Sequence, residues 1–256
     1  MTDHETLLQT VLDNPDDDAP RLAYAGWCAQ QGDEPTVARA EFIRGQIELS
    51  HTPAEILEHG QVHHIQSRMD ALSDRYSRVW MEPLLPITNL YRFQRGFVEF
   101  VGLEAGSLLR HGARIFQLAP VRHMDLRGVR DVREDLFASS SLARLRSLGM
   151  NDCGLYSFHI RLLAASGVTA GLRWLSVARN HLDLEAGRAL AASPHCGNLK
   201  YANFRGNPVD PGEQLGWDSG VVISAWLPPP GEELEKEFGY LPWLHSPDGP
   251  PDRFSC

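Results

Sequence analysis

Apolar residues along the chain follow two rhythms, and the change between them divides it. Over the first fifty residues they recur every three to four positions, which predicts helices. A first helix carries Leu7, Leu8, Val11 and Leu12 behind a Thr2-x-x-Glu5 capping pattern and stops at Asn14-Pro15. A second opens at Pro20, turns Leu22 and Trp27 inward and stops at Gly32. A third opens at Pro35 with Val37, Ala40, Phe42, Ile43 and Ile47 inward; Glu41, Arg44 and Gln46 fall on its outer side. There Glu41 and Arg44 are expected to pair with each other or with the Asp16–Asp18 cluster. A fourth, longer helix is expected from Thr52-x-x-Glu55 to about Trp80, through Ile56, Ile65, Met69, Leu72, Tyr76 and Val79.

From residue 95 the rhythm changes. RGFVEFVGL (95–103) alternates Phe97, Glu99 and Val101 against Val98 and Phe100, as an edge strand does. Four segments then stack on one another: VRHMDLRGV from Val121, LRSLGMNDCGL from Leu145, LRWLSVARNHL from Leu172 and LKYANFRGNPV from Leu199. Their starts are 24, 27 and 27 residues apart. Each has apolar residues at positions one, four and six, and the last three carry Cys153, Asn180 and Asn207 at position nine. This L-x-x-L-x-L-x-x-N/C-x-L pattern resembles a leucine-rich repeat. Positions four and six line one face of a short strand, and strands of successive repeats stack in parallel. The side chain at position nine satisfies backbone groups where the chain leaves the strand. The intervening FHIRLLAASG and LEAGRALAASP read as helices, and VVISAWLPPPGEELEKEFGYLPWLH, with Trp226, Phe238 and Trp243, as the terminal cap a repeat stack needs.

The segment NPDDDAPRLAYAGWCAQQGDEPTVARAEFIRGQIEL is similar to a bacterial repeat-companion domain that precedes leucine-rich repeats. The shared motifs are Asn14 to Asp18, Pro20 to Trp27, Gly32-Asp33 and Ala40 to Gln46. Gly26 stands where that pattern has Asp, and an added Thr-Val lengthens the turn before Ala38. The resemblance implies an architecture and protein binding. The fold expected is therefore α/β. A small all-α module (1–50) and a connecting helix and linker (51–94) precede a leucine-rich-repeat solenoid with its N-terminal edge strand (95–210). A C-terminal cap and tail (211–256) follow.

Charge modifies this picture. The net charge of -9 argues against a general nucleic-acid binder. It is unevenly spread, at -9 over 1–60, +2 over 61–117, +4 over 118–210 and -6 over 211–256, so a basic middle lies between acidic ends. The first residues lack the basic and apolar regions of a signal peptide, and no stretch approaches the roughly 18 apolar residues of a membrane span. Four well-separated cysteines (Cys28, Cys153, Cys196, Cys256) read as reduced thiols of a cytoplasmic protein. His59-x-x-x-His63-His64 lacks the further ligands a zinc site needs, and Asp16-Asp17-Asp18 lacks the glycine and glutamate of a calcium loop. No phosphate loop or nucleophile motif is present.

The reading that follows is a non-enzymatic, cofactor-free and metal-free protein-binding module or scaffold. Its alternatives are a sensor or accessory subunit of a bacterial defence or signalling complex, and an enzyme with an unrecognised cleft. The expected binding face is the concave sheet. Position two is basic in all four repeats (Arg122, Arg146, Arg173, Lys200). His123, Trp174 and Tyr201 stand at position three, and Arg127 and Arg205 at position seven. Such a ladder repels itself unless the chain's own acids fold over it or a partner with an acidic surface docks there.

Overall fold

In a computed structural model of the protein, residues 3–53, 56, 62–131, 133–208 and 230–245 are described. Thr2, Glu55, His59, Trp226 and Cys256 lie outside the described residues. The chain is α/β, and its six strands form one open, mostly parallel sheet in chain order. It divides into two compact units, Met1–Phe100 with Ala113–Val121, and Val101–Gly112 with Arg122–Cys256.

The first unit holds α1 (Asp3–Asp13), α2 (Asp18–Cys28), α3 (Glu34–His51), α4 (His63–Trp80) and β1 (Leu90–Gln94), and the start of β2 (Phe97–Glu104). Aspartates start two of these helices. Asp17 accepts the Ala19 N–H at 2.9 Å, and Asp33 accepts the Thr36 N–H at 3.0 Å. Pro20 and Pro35 consequently fall inside the first turns, where no N–H is needed, rather than at the first helical residue. Thr52 is the C-cap of α3; the helix start expected at Thr52-x-x-Glu55 falls in part on residues outside those described, and α4 begins at His63.

One core joins Val11, Ala25, Cys28, Ala40, Ile43, Ile47 and Phe97; another joins Phe42, Leu49, Met69, Leu72 and Tyr76. Three expected core residues are exposed: Leu22, Val37 and Val79. The buried stripe of α2 is Arg21, Ala25 and Cys28, spaced four and three apart, so Leu22 is rotated about 100° off it. At the end of α4, Trp80 turns inward instead of Val79 and donates its indole N–H to the Pro35 carbonyl at 2.9 Å. Glu41 pairs with neither Arg44 nor the aspartate cluster; it accepts two bonds from Arg68, at 2.7 and 2.8 Å. Gln46 is not free on the outer side, because its carbonyl accepts the Gly96 N–H at 2.7 Å.

Gly96 and Arg95 form a two-residue turn with φ of 81° and 49°, the signature of a tight hairpin between β1 and β2. A Cβ at Gly96 would come within 2.6 Å of the Ile43 Cα, so only glycine lets the turn lie on α3. β1 thus precedes the strand expected to seal the sheet, and it stands at the sheet's end. Beneath the turn Glu99 accepts from Arg21 at 2.8 Å and from Arg95 at 3.0 Å. Arg21 also donates to the carbonyls of Pro15, Gln94 and Arg95, and Arg95 to Asp18. These bonds hold Arg95 in its left-handed conformation.

Gly26, at the position where the repeat-companion pattern has Asp, has nothing within 4 Å of where a Cβ would stand. Gly26→Ala is expected to stabilise α2 by about 0.5–1 kcal/mol, through helix propensity and a less flexible unfolded chain. A thermal melt followed by circular dichroism that shows a loss instead would place an unseen steric demand there.

The second unit contains β3 (His123–Arg127), β4 (Ser147–Gly149), β5 (Trp174–Ser176) and β6 (Tyr201–Asn203). Between them come α6 (Arg133–Ala138), α7 (Ser157–Ala165) and α8 (Leu184–Ala191), with α9 (Pro230–Phe238) and α10 (Pro242–His245) after them; α5 (Ala105–Leu118) precedes β3. The strands pair in parallel with His123 opposite Ser147, Ser147 opposite Trp174 and Trp174 opposite Tyr201, so the sequence period is the spatial register. They begin at position three, one residue ahead of the alternating apolar pair. Positions four and six are buried throughout: Met124, Leu126, Leu148, Met150, Leu175, Val177, Ala202 and Phe204. Position nine performs the expected work. The Asn180 carbonyl accepts the N–H groups of Cys153 and Leu155, and its amide donates to Met150, Val177 and Ala178. Asn207 repeats this toward Asn180 and Leu182, and the Cys153 thiol bonds the carbonyls of Leu126 and Asn151. After β6, Trp243 is buried against Phe204, with centroids 6.4 Å apart.

Candidate binding face

Alternation along each strand puts positions three, five and seven on the face opposite the buried row. The register aligns position three as His123, Ser147, Trp174, Tyr201 and position five as Asp125, Gly149, Ser176, Asn203. β4 therefore presents only small residues between larger neighbours. His123 and Trp174 lean toward each other over Ser147 until their centroids are 6.3 Å apart, against roughly 9.6 Å for two strand spacings. Asp125 leans in the same way over Gly149, where a Cβ would run into its carboxylate. Asp125 and Gly149 are absent from the residues singled out by sequence; a glycine inside a strand was the available signal for this close approach.

The position-three aromatics are not equally available. Tyr201 is 6% and His123 7% exposed, whereas Trp174 is half-buried, so the ring with accessible surface is Trp174. Burial pushes the Tyr201 phenol above its ordinary range. Beside the rings, Ser176 donates to the Asn151 side chain at 2.7 Å, and the same oxygen accepts the Ala178 N–H at 2.8 Å. Arg127 and Arg205, at position seven of the outer repeats, are exposed.

Position two is organised by the backbone. The Arg122 carbonyl accepts the N–H groups of Arg146 and Ser147, at 2.7 and 3.1 Å. Arg146 repeats this with Arg173 and Trp174, and Arg173 with Lys200 and Tyr201. The four cationic residues are thereby stacked one strand apart, about 4.8 Å, ahead of the strands rather than on their faces. Their side chains differ. The Arg122 guanidinium donates to the Arg144 carbonyl at 2.9 Å and braces the segment before β4. Among the described residues, no carboxylate forms an ion pair with Arg173 or Lys200. The acids that close this unit lie elsewhere: Glu185, Glu233 and Glu237 converge on Arg188 of α8.

The thiols of Cys28, Cys153 and Cys196 are buried, and burial pushes Cys28 up to about 11 and raises Cys153, opposite to an activated thiolate. Among the described residues no group of three or more His, Cys, Asp or Glu side chains is placed to hold a metal ion, and no helix is long and apolar enough to cross a membrane. Comparison of the chain with family models, curated proteins and solved structures finds no match.

Proposed function

We propose that the repeating half of the chain is a short leucine-rich-repeat solenoid, preceded by a repeat-companion module, and that it binds the acidic surface of a partner protein without catalysing a reaction. The observation that carries this is the stacked position-two column. Like charges one strand apart repel, and among the described residues no carboxylate is in ion-pair range of Arg173 or Lys200, while Glu185, Glu233 and Glu237 are engaged by Arg188. Trp174, half-exposed beside that column, is an anchor of the type that dominates interfaces. The in-register strands, the asparagine ladder and the buried row at positions four and six support the solenoid.

The test is co-purification with the full-length chain followed by mass spectrometry, then titration of the recovered partner. Arg173→Glu with Lys200→Glu is expected to weaken binding at least tenfold and to flatten its dependence on salt, with the melting temperature nearly unchanged. Trp174→Ala should weaken it at every salt concentration. Unchanged binding by the double variant would remove the column from the interface, and loss of folding would make it internal scaffolding.

A further inference from the structure

The first unit carries a cavity with which the strand face has nothing to do. Between α3 and α4 lies an open slot of about 470 Å³, inside the ~300–1,000 Å³ range of small-molecule sites. Two ion pairs frame it. Arg68 grips Glu41 at 2.7 Å, and Arg75 reaches Glu34 at 2.9 Å, where the Tyr76 hydroxyl also donates. Glu34 and Glu41 are seven residues apart, as are Arg68 and Arg75, so the frames stand about 10.5 Å from each other along the helices. Between them the walls are apolar and small: Val37 and Ala38 from α3, Ala71 and Leu72 from α4. The two alanines leave the hollow. Val37 is 41% exposed beside it, apolar surface that the protein itself does not cover.

Charge indicates the occupant. The lining holds Arg44, Arg68 and Arg75 against Glu34 and Glu41, an excess of one cation. Both glutamates are engaged by the framing arginines. Arg44 is exposed and, among the described residues, has no carboxylate in ion-pair range, so its guanidinium fork is open to an anion. A hollow with apolar walls and one uncompensated guanidinium fits a ligand with an apolar body and a single carboxylate. A neutral amphiphile would forgo the charge, and a cation would meet it as repulsion.

We propose that this slot binds a small monocarboxylate, apolar body between Val37, Ala38, Ala71 and Leu72 and carboxylate on Arg44. The test is a titration of the isotopically labelled full-length chain with octanoate, followed by amide chemical shifts, with octan-1-ol and octylammonium as controls. Octanoate is expected to produce saturable shifts confined to residues 34–45 and 68–76, at a concentration where octylammonium produces none and octanol at most a fifth of the affinity. Arg44→Gln should weaken octanoate at least fivefold, Arg44→Lys should keep most of the affinity, and Ala71→Trp, which fills the slot from an exposed position, should abolish it. The spectrum of each variant reports its folding in the same experiment. Absent or non-saturable shifts, shifts centred elsewhere, equal binding of octanol or octylammonium, or undiminished binding by Arg44→Gln or Ala71→Trp would overturn the proposal.

Discussion

Asn180→Ala is expected to cost the repeating unit at least about 3–5 kcal/mol, from the loss of five hydrogen bonds made by one side chain buried to 4% exposure. Two of those bonds satisfy N–H groups of the loop after β4, and three satisfy carbonyls: Met150 at position six of the preceding repeat, and Val177 and Ala178 at positions six and seven of its own. All belong to turns stacked inside the unit, so water cannot replace the amide. Each buried backbone group left without a partner costs about 1–3 kcal/mol, and a typical domain has only about 5–15 kcal/mol in total. Asn180→Asp should be no milder, since it keeps the acceptor but turns a carboxylate toward three carbonyls. Asn207→Ala, with four bonds, should rank second. Cys153→Ala, which removes two weak thiol bonds at 3.3 Å, should rank third at about 1 kcal/mol. Urea unfolding followed by tryptophan fluorescence and far-ultraviolet circular dichroism checks the order. A loss below about 1 kcal/mol for Asn180→Ala would mean that water enters the ladder after all.

The asparagine ladder was legible in the sequence because it is a local pattern repeated at a fixed period. Alternation at positions four and six needs no knowledge of distant residues, and the 24- and 27-residue spacings reappear unchanged as strand register. What was not legible depended on partners far along the chain. Arg21 begins the buried stripe of α2 because Glu99, 78 positions later, meets it there, and hydropathy alone turns an arginine outward and Leu22 inward. Glu41 chose Arg68 over the nearer Arg44, because α4 packs along α3 and brings a second set of side chains into range. On the candidate face the sequence supplied the rows and their charges. It did not supply the lean of His123, Trp174 and Asp125 over β4, which requires knowing that Ser147 and Gly149 lie between them. Nor could it show that Glu233 and Glu237 meet Arg188 rather than the basic column.

Arg21→Leu should destabilise the first unit by about 3–5 kcal/mol at neutral pH, because it leaves Glu99 charged, buried and short of one of its two cations. The side chains of Arg21 and Glu99 are 0% and 3% exposed, so solvent does little to screen the pair. Burial already holds the Glu99 carboxyl above the ordinary carboxylate range against the pull of Arg21 and Arg95, and it holds the Arg21 guanidinium below its own. A carboxyl raised in the folded state stabilises folding below its unfolded value, about 4.3, and that contribution is lost as pH rises through the folded value. Removing Arg21 raises the folded value further, so the deficit of the variant should be largest near pH 7 and should shrink as the pH is lowered toward about 4.5. Lost packing of the arginine stem would instead give a deficit independent of pH. Arg21→Leu with Glu99→Leu supplies the second measurement: with both charges gone, most of the neutral-pH loss should return and the added pH dependence should vanish, Arg95 remaining tied to Asp18 at 3.1 Å and to the Pro15 carbonyl at 2.8 Å. Urea midpoints of the wild type and both variants from pH 4.5 to 7.5 decide it. A single-variant deficit that stays flat across that range, or grows toward acid, would show that Glu99 is not the group left uncompensated.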